Sequence, residues 1–169
     1  MAIANIALVA ACAVGGLTAA TYLLPRHVTV ERSSKMRADP AQILAQAASF
    51  DGFDAINPYR TADPALKITP FGPPSGVGSG FAFEGKDGKG TQTVAAISDT
   101  AVTYAIDMGA MGQPVQTLRA VPASQGAEVT WTMQADMGFN PVFRVFGLFM
   151  DGMMGKTLDQ GLANLAAAN

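Results

Sequence analysis

From residue 128 to residue 137 the chain alternates without a break. Val129, Trp131, Met133, Ala135 and Met137 share one side, and Glu128, Thr130, Thr132, Gln134 and Asp136 the other. A two-residue period puts one set against a core and the other in water, which predicts a half-buried strand. Residues 27–37 repeat the pattern, with Val28, Val30, Ser34 and Met36 opposite Thr29, Glu31, Ser33, Lys35 and Arg37. Arg32 breaks it by falling on the apolar side. It reads as a bulge or strand end from which the side chain snorkels to water, the alternative being a polar anchor in a pocket. Further strand-like runs at residues 66–69, 81–83, 91–98, 102–108 and 115–121 are separated by turn signals, and Asp87-Gly88 marks a hairpin. One face of the resulting sheet is wet and the other buried.

Helical spacing appears in three places. Asp39-Pro40 is a cap followed by a first-turn proline, with Ile43, Leu44 and Ala47 on the inner side. Phe53 and Ile56 suggest a second short helix that stops at Asn57-Pro58. Asn140-Pro141 then opens a stripe of Val142, Phe146, Met150, Met153, Leu158, Leu162 and Leu165, which predicts one long C-terminal helix over residues 140–168. Arg144, Asp151 and Asp159 are left for its solvent side. Gly147, Gly152 and Gly155 predict a kink near residues 152–155.

Residues 3–24 carry no charge. At 1.5 Å per residue this run reaches across a hydrocarbon core about 30 Å thick, so it reads as a single membrane span. A cleaved signal peptide fits less well, because no Lys or Arg precedes the run and its apolar part is long. Ala7, Ala11, Gly15 and Ala19 recur every fourth residue and form a small-residue face on which another membrane helix can pack, although an Ala-rich segment produces such spacing by chance as well. Four basic residues against one acid between residues 26 and 37 place the following domain in the cytoplasm by the positive-inside rule, as for a single-pass protein of a bacterial inner membrane.

Charge and chemistry narrow the classes further. The 169-residue chain has net charge −2, and from residue 38 onward seven basic residues face twelve acids, which argues against nucleic acid as a partner. Cys12 is the one cysteine and His27 the one histidine, so neither a zinc site nor a nucleophile-histidine device can be assembled in the domain, and no cofactor or metal is expected. Gly76, Gly78 and Gly80 read as a bent loop rather than a phosphate loop, since no helix start with Lys-Ser/Thr follows. Asp51 and Asp54 read as solvated charges, not an acid-base pair.

The order is strand, two helices, a run of antiparallel strands and a terminal helix, which makes an α+β domain with a curved antiparallel sheet around the last helix. The segments VTVERS (28–33), Ala38-Asp39-Pro40, FDAINPY (53–59), Gly76-Val77-Gly78-Ser79, Val129-Thr130-Trp131, Asn140-Pro141 with FGLFMD (146–151), and GLANL (161–165) resemble a group of bacterial SRPBCC proteins. This superfamily holds START lipid-transfer domains, the birch-pollen-allergen fold and polyketide cyclase/dehydrase-like proteins. The resemblance covers residue 27 to the C-terminus. It implies a helix-grip fold with a hydrophobic cavity between sheet and C-terminal helix, ligand binding more often than chemistry, and in many members an N-terminal membrane helix. Phe53, Ile56 and Tyr59 stand where relatives often carry Trp, which alters the expected pocket mouth.

The division is therefore an anchor at residues 1–25 and a START-like domain at residues 26–169. The expected cavity residues are Phe53, Ile56, Tyr59, Phe81, Phe83, Tyr104, Met108, Trp131, Met133, Phe146, Met150 and Met153. The first functional class is a membrane-tethered binder of a lipid-like or aromatic molecule, to which a methionine-rich wall can adapt. The second is an accessory single-pass subunit of a membrane complex, docking through Ala7, Ala11, Gly15 and Ala19. A cyclase-type enzyme comes third, because the buried faces offer few titratable groups beyond Tyr104 and Arg32.

Overall fold

The computed structural model describes residues 20–169. The small-residue face and most of the uncharged run lie outside the described residues; among those described, no helix is long and apolar enough to cross a membrane. The alternating segments form seven strands: β1 (His27–Met36), β2 (Lys67–Phe71), β3 (Gly80–Gly85), β4 (Gly88–Ser98), β5 (Ala101–Asp107), β6 (Val115–Pro122) and β7 (Ala127–Asp136). They make one antiparallel sheet in the order β1-β7-β6-β5-β4-β3-β2. Successive strands from β2 to β7 are neighbours, and only β1 is reached by a crossover. The hairpin at Lys86-Asp87 closes on the pair Gly85 and Gly88, as the turn signal predicts. A register shift between Val94 and Ala96 of β4 marks an irregularity of the bulge kind that bends a sheet.

The crossover from β1 to β2 holds three helices, not two. They are α1 (Pro40–Ala47), α2 (Phe50–Ile56) and α3 (Pro58–Ala62). Each starts on a side-chain cap: Asp39 accepts from the Ala41 amide, Ser49 from Gly52, and Asn57 from Tyr59. Asn57-Pro58 does end α2, but the same cap and first-turn proline begin α3 at once.

The expected long helix is also two elements, α4 (Pro141–Gly147) and α5 (Met150–Ala168). The break is at residues 148–149, where Leu148 and Phe149 bond back only three residues, to Val145 and Phe146. It is not at residues 152–155, and α5 runs through Gly152 and Gly155 without interruption. Glycine serves close approach here instead of bending. A Cβ at Gly155 would fall on the Arg32 guanidinium, and one at Gly161 would lie 2.5 Å from the Trp131 ring. These two positions let α5 lie down on β1 and β7. Leu158, Leu162 and Leu165 of α5 then meet Ile43, Leu44, Phe53 and Ile56 in one core with Val30, Val129 and Trp131.

Arg32 sits in an unbroken β1–β7 register opposite Trp131, so it marks neither a bulge nor a strand end. Its guanidinium crosses under α5 and pairs with Asp151 at 2.9 Å and Asp159 at 3.4 Å. Asp151 and Asp159 are exposed as expected but are not free charges. A second strap joins the outer ends of the same strands: Arg26 meets Asp136 at 2.6 Å.

These straps fix the sign of an acid effect. Hydrogen bonds from Arg26 hold the Asp136 carboxyl well below the usual range, and those from Arg32 lower Asp151. A depressed folded value contributes stability above the unfolded value, near pH 4, and loses it as pH falls through the folded one. The denaturation midpoint should therefore drop on acidification from about pH 4 downward, less steeply in Asp136→Asn than in the wild type. Equal slopes in the two proteins would show that Asp136 takes no part.

Candidate functional site

Phe53 is the centre of the interior. The rings of Tyr104, Phe81 and Trp131 stand 5.1, 5.7 and 5.9 Å from its own, and Phe81 reaches on to Phe50 at 6.1 Å and Phe83 at 6.4 Å. Edge and tilted contacts of this kind add to the burial of large apolar area. The helix cap at Ser49 aims α2 so that Phe53 and Ile56 enter the sheet's concave face, while the alternation of β3, β5 and β7 delivers Phe81, Tyr104 and Trp131 from below.

Polar atoms inside are matched in pairs. The Tyr104 hydroxyl donates to the Ala47 carbonyl at 2.9 Å, which ties β5 to the end of α1. The Trp131 indole N–H donates to Gln116 Oε1 at 3.0 Å, and Gln116 Nε2 donates to the Tyr59 hydroxyl at 3.3 Å. Burial pushes both phenols above their ordinary pKa, so they remain neutral donors and acceptors. Asn57 Nδ2 is buried with no hydrogen-bond partner. Gln116, Asn57 and Tyr59 form a polar seam that sequence pattern alone missed for Gln116 and Asn57. A glutamine at an inward position of β6, between Val115 and Thr117, carries no periodic signal.

The free space is small. A cavity of about 10 Å³ lies between the α1–α2 corner and β3 to β5, lined by Ala47, Ser49, Phe50, Phe53, Ser79, Gly80, Phe81, Gln92, Val94 and Tyr104. That volume holds about one water molecule, whereas small-molecule sites occupy roughly 300–1,000 Å³. Its outer rim is the loop of residues 72–79, bonded to the helices through Phe50 N to Pro74 O at 3.0 Å and Gly76 N to Ala48 O at 2.9 Å. The loop amides of Gly76, Gly78 and Ser79 are spent on the carbonyls of Ala48, Val94 and Gly76, in keeping with a bent loop. Asp54 is held by Arg60 at 2.6 Å, and Asp51 is exposed.

Of the residues expected to line a cavity, Phe53, Phe81 and Tyr104 border this space. Ile56, Trp131, Met133 and Met150 are packed in the core around it, with Phe83 against its edge. Phe53 and Ile56 are therefore interior residues, not a mouth, and Tyr59 joins them through Gln116. Met108 is half-buried beyond the end of β5. Phe146 and Met153 are not brought to the site at all: both are exposed, at 44% and 53%. At 3.6 residues per turn both fall roughly 100° or more away from the face that Leu158, Gly161, Leu162 and Leu165 bury, so they lie on the outer side of α4 and α5. Arg144, assigned to solvent, is buried at 7% exposure, and its α4 neighbour Gly147 is buried too. Among the described residues, no three His, Cys, Asp or Glu side chains gather as a metal site would need.

A family model described as polyketide cyclase / dehydrase and lipid transport matches residues 27–168. No curated protein matches the chain. Norcoclaurine synthase from Thalictrum flavum, solved with dopamine and hydroxybenzaldehyde, superposes with a TM-score of 0.63 at 12% identity, covering 84% of this chain and 86% of that one. A protein from Chromobacterium violaceum gives 0.60 at 14% identity over 83% of this chain and 96% of its own. The di-domain ARO/CYC StfQ of the steffimycin biosynthetic pathway gives 0.59 at 9% identity, covering 83% of this chain and 50% of StfQ. At such identities the likeness is one of fold.

Proposed function

We propose, from the premise that the chain belongs to the polyketide cyclase / dehydrase and lipid transport family, that it is a membrane-tethered binding protein for a hydrophobic small molecule, lipid-like or aromatic. The tether is the uncharged run of residues 3–24, and the basic residues after it favour a cytoplasmic domain on a bacterial inner membrane. The observation that supports binding is the ring system centred on Phe53, which walls a residual void under a loop held to the helices by few hydrogen bonds. In this reading the ligand-free site is shut by its own aromatic side chains. Entry requires Phe50 and Phe53 to swing outward with α2 and the loop of residues 72–79 to lift, which exchanges ring–ring contacts for ring–ligand contacts. Tyr104 and Gln116 would then offer the polar handles, and Met133 and Met150 the adaptable wall.

Trp131 is the one tryptophan, fully buried against Phe53, and so reports on that movement. Titration of the full chain with a brominated fatty acid and with a flat polyaromatic should change its emission saturably with at least one of them. Full-length protein gently released from membranes should carry the mass of one small molecule. Silence towards both probes, with no bound mass, would discard the binding reading. The closed interior would then support the second reading, an accessory membrane-complex subunit that docks through the face of Ala7, Ala11, Gly15 and Ala19.

A further inference from the structure

Ten of the fifteen large apolar side chains exposed among the described residues fall in two short stretches, residues 22–23 and 139–153. Between residues 138 and 150 the sole charge is Arg144, and it is buried beneath α4. What α4 and the α4–α5 corner turn outward is therefore uncharged: Val142, Phe146, Leu148 and Phe149. An apolar face of this kind is unusual on a domain surrounded by water.

The two stretches are one place. Arg144 Nη1 donates to the carbonyls of Tyr22 at 3.2 Å and Leu24 at 2.8 Å, while its Nε donates to Gly138 O at 3.0 Å. The guanidinium also stands 5.6 Å from the Tyr22 ring. The end of the uncharged run is thus bolted to the start of α4 by a cation that satisfies terminal carbonyls. If the run spans a bilayer, its last residues lie at the headgroup boundary, and α4, one side chain away, lies at the same depth.

We propose that the outer face of α4 and the α4–α5 corner rest in the headgroup region of a lipid bilayer, holding the domain against the membrane at a second point beside its tether. The inference rests on the reading of residues 3–24 as that tether. Amphipathic helices in this position bury their apolar face about 5–10 Å into the boundary and keep their polar side towards the protein or water. Here the polar side is Arg144, directed inward. At the rim Arg26 lies 4.9 Å over the Phe139 ring and pairs with Asp136, a stem-down, charge-out arrangement suited to that boundary.

The test uses the full chain in phosphatidylcholine–phosphatidylglycerol vesicles. An environment-sensitive dye is placed on Phe149→Cys or Val142→Cys in a Cys12→Ser background, with Met111→Cys, exposed in the β5–β6 connection, as the reference. The protein should float with the vesicles. Lipid brominated on the acyl chain should quench both α4 dyes by about twofold or more and leave the reference unchanged, as a face buried to that depth requires. Flotation with α4 dyes as unquenched as the reference would overturn the inference and leave the tether standing. So would dyes shielded from water yet untouched by brominated lipid, which would mean a protein covers the face. Protein that fails to float would remove the tether reading and this inference together.

Discussion

Trp131→Ala is expected to lower the unfolding free energy by about 3–5 kcal/mol, as deletion of a large buried side chain does, a large share of the roughly 5–15 kcal/mol a domain possesses. The ring is fully buried, stands 5.9 Å from Phe53, and has Gly161 of α5 against its other side. The substitution also strips Gln116 Oε1 of its donor in a residue that is itself buried. Trp131→Phe separates the two losses, since most of the apolar volume stays and the hydrogen bond goes; about 1–3 kcal/mol should remain as the cost of the orphaned acceptor. Gly161→Ala tests the contact from the helix side. A Cβ 2.5 Å from the ring must push α5 off the sheet, and overpacking of this kind costs about 1–3 kcal/mol. Trp131→Phe with Gly161→Ala should cost less than the sum of the singles, because the smaller ring leaves room for the methyl. Chemical denaturation of the wild type and the four variants reads all of this. Strictly additive losses would show that Gly161 and Trp131 do not share one contact.

The strands were legible because a two-residue period needs no knowledge of what lies across the sheet: residues 27–37 and 128–137 pair from His27 with Asp136 to Met36 with Ala127, along the faces that alternation assigns. The second half of the last helix was legible for a related reason, since Leu158, Leu162 and Leu165 meet the core that their spacing implies. The first half was not. Periodicity fixes which residues share a face, but the inference that an apolar face is a buried face assumes water on the other side. In α4 Val142 and Phe146 point out and Arg144 points in, the reverse of what the polarity of these side chains implies. Glycine was ambiguous in the same way. Gly155 and Gly161 were readable as weak points of a helix, and only Arg32 and Trp131 on the opposing strands give them a purpose. The expected cavity came from resemblance more than from the methionines that were to line it. Whether large rings leave a space or fill it depends on how close α5 sits, and those two glycines let it sit close.

Arg144→Met is the second large effect expected, and it acts at the joint between the uncharged run and the domain. The guanidinium supplies three hydrogen bonds to backbone carbonyls from two segments more than a hundred residues apart in sequence. Methionine keeps much of the side-chain length and none of the donors. The carbonyls of Tyr22, Leu24 and Gly138 lose a charged partner, and partial rehydration limits the cost to about 2–3 kcal/mol. Arg144→Lys should recover less than half of it, because a point-charge ammonium cannot bridge all three acceptors as a planar fork does. Hydrogen exchange locates the effect. The amides of Leu23 and Leu24, bonded to Ala20 and Thr21, and that of Met137, bonded to Arg26, should exchange faster in Arg144→Met, while those of β7 from Val129 to Met133 keep their protection. Uniform acceleration across β7 would mean that Arg144 supports the whole sheet. Unchanged exchange at Leu23, Leu24 and Met137 would mean that the end of the run is held by something else, and the position of α4 at the membrane boundary would lose its structural cause.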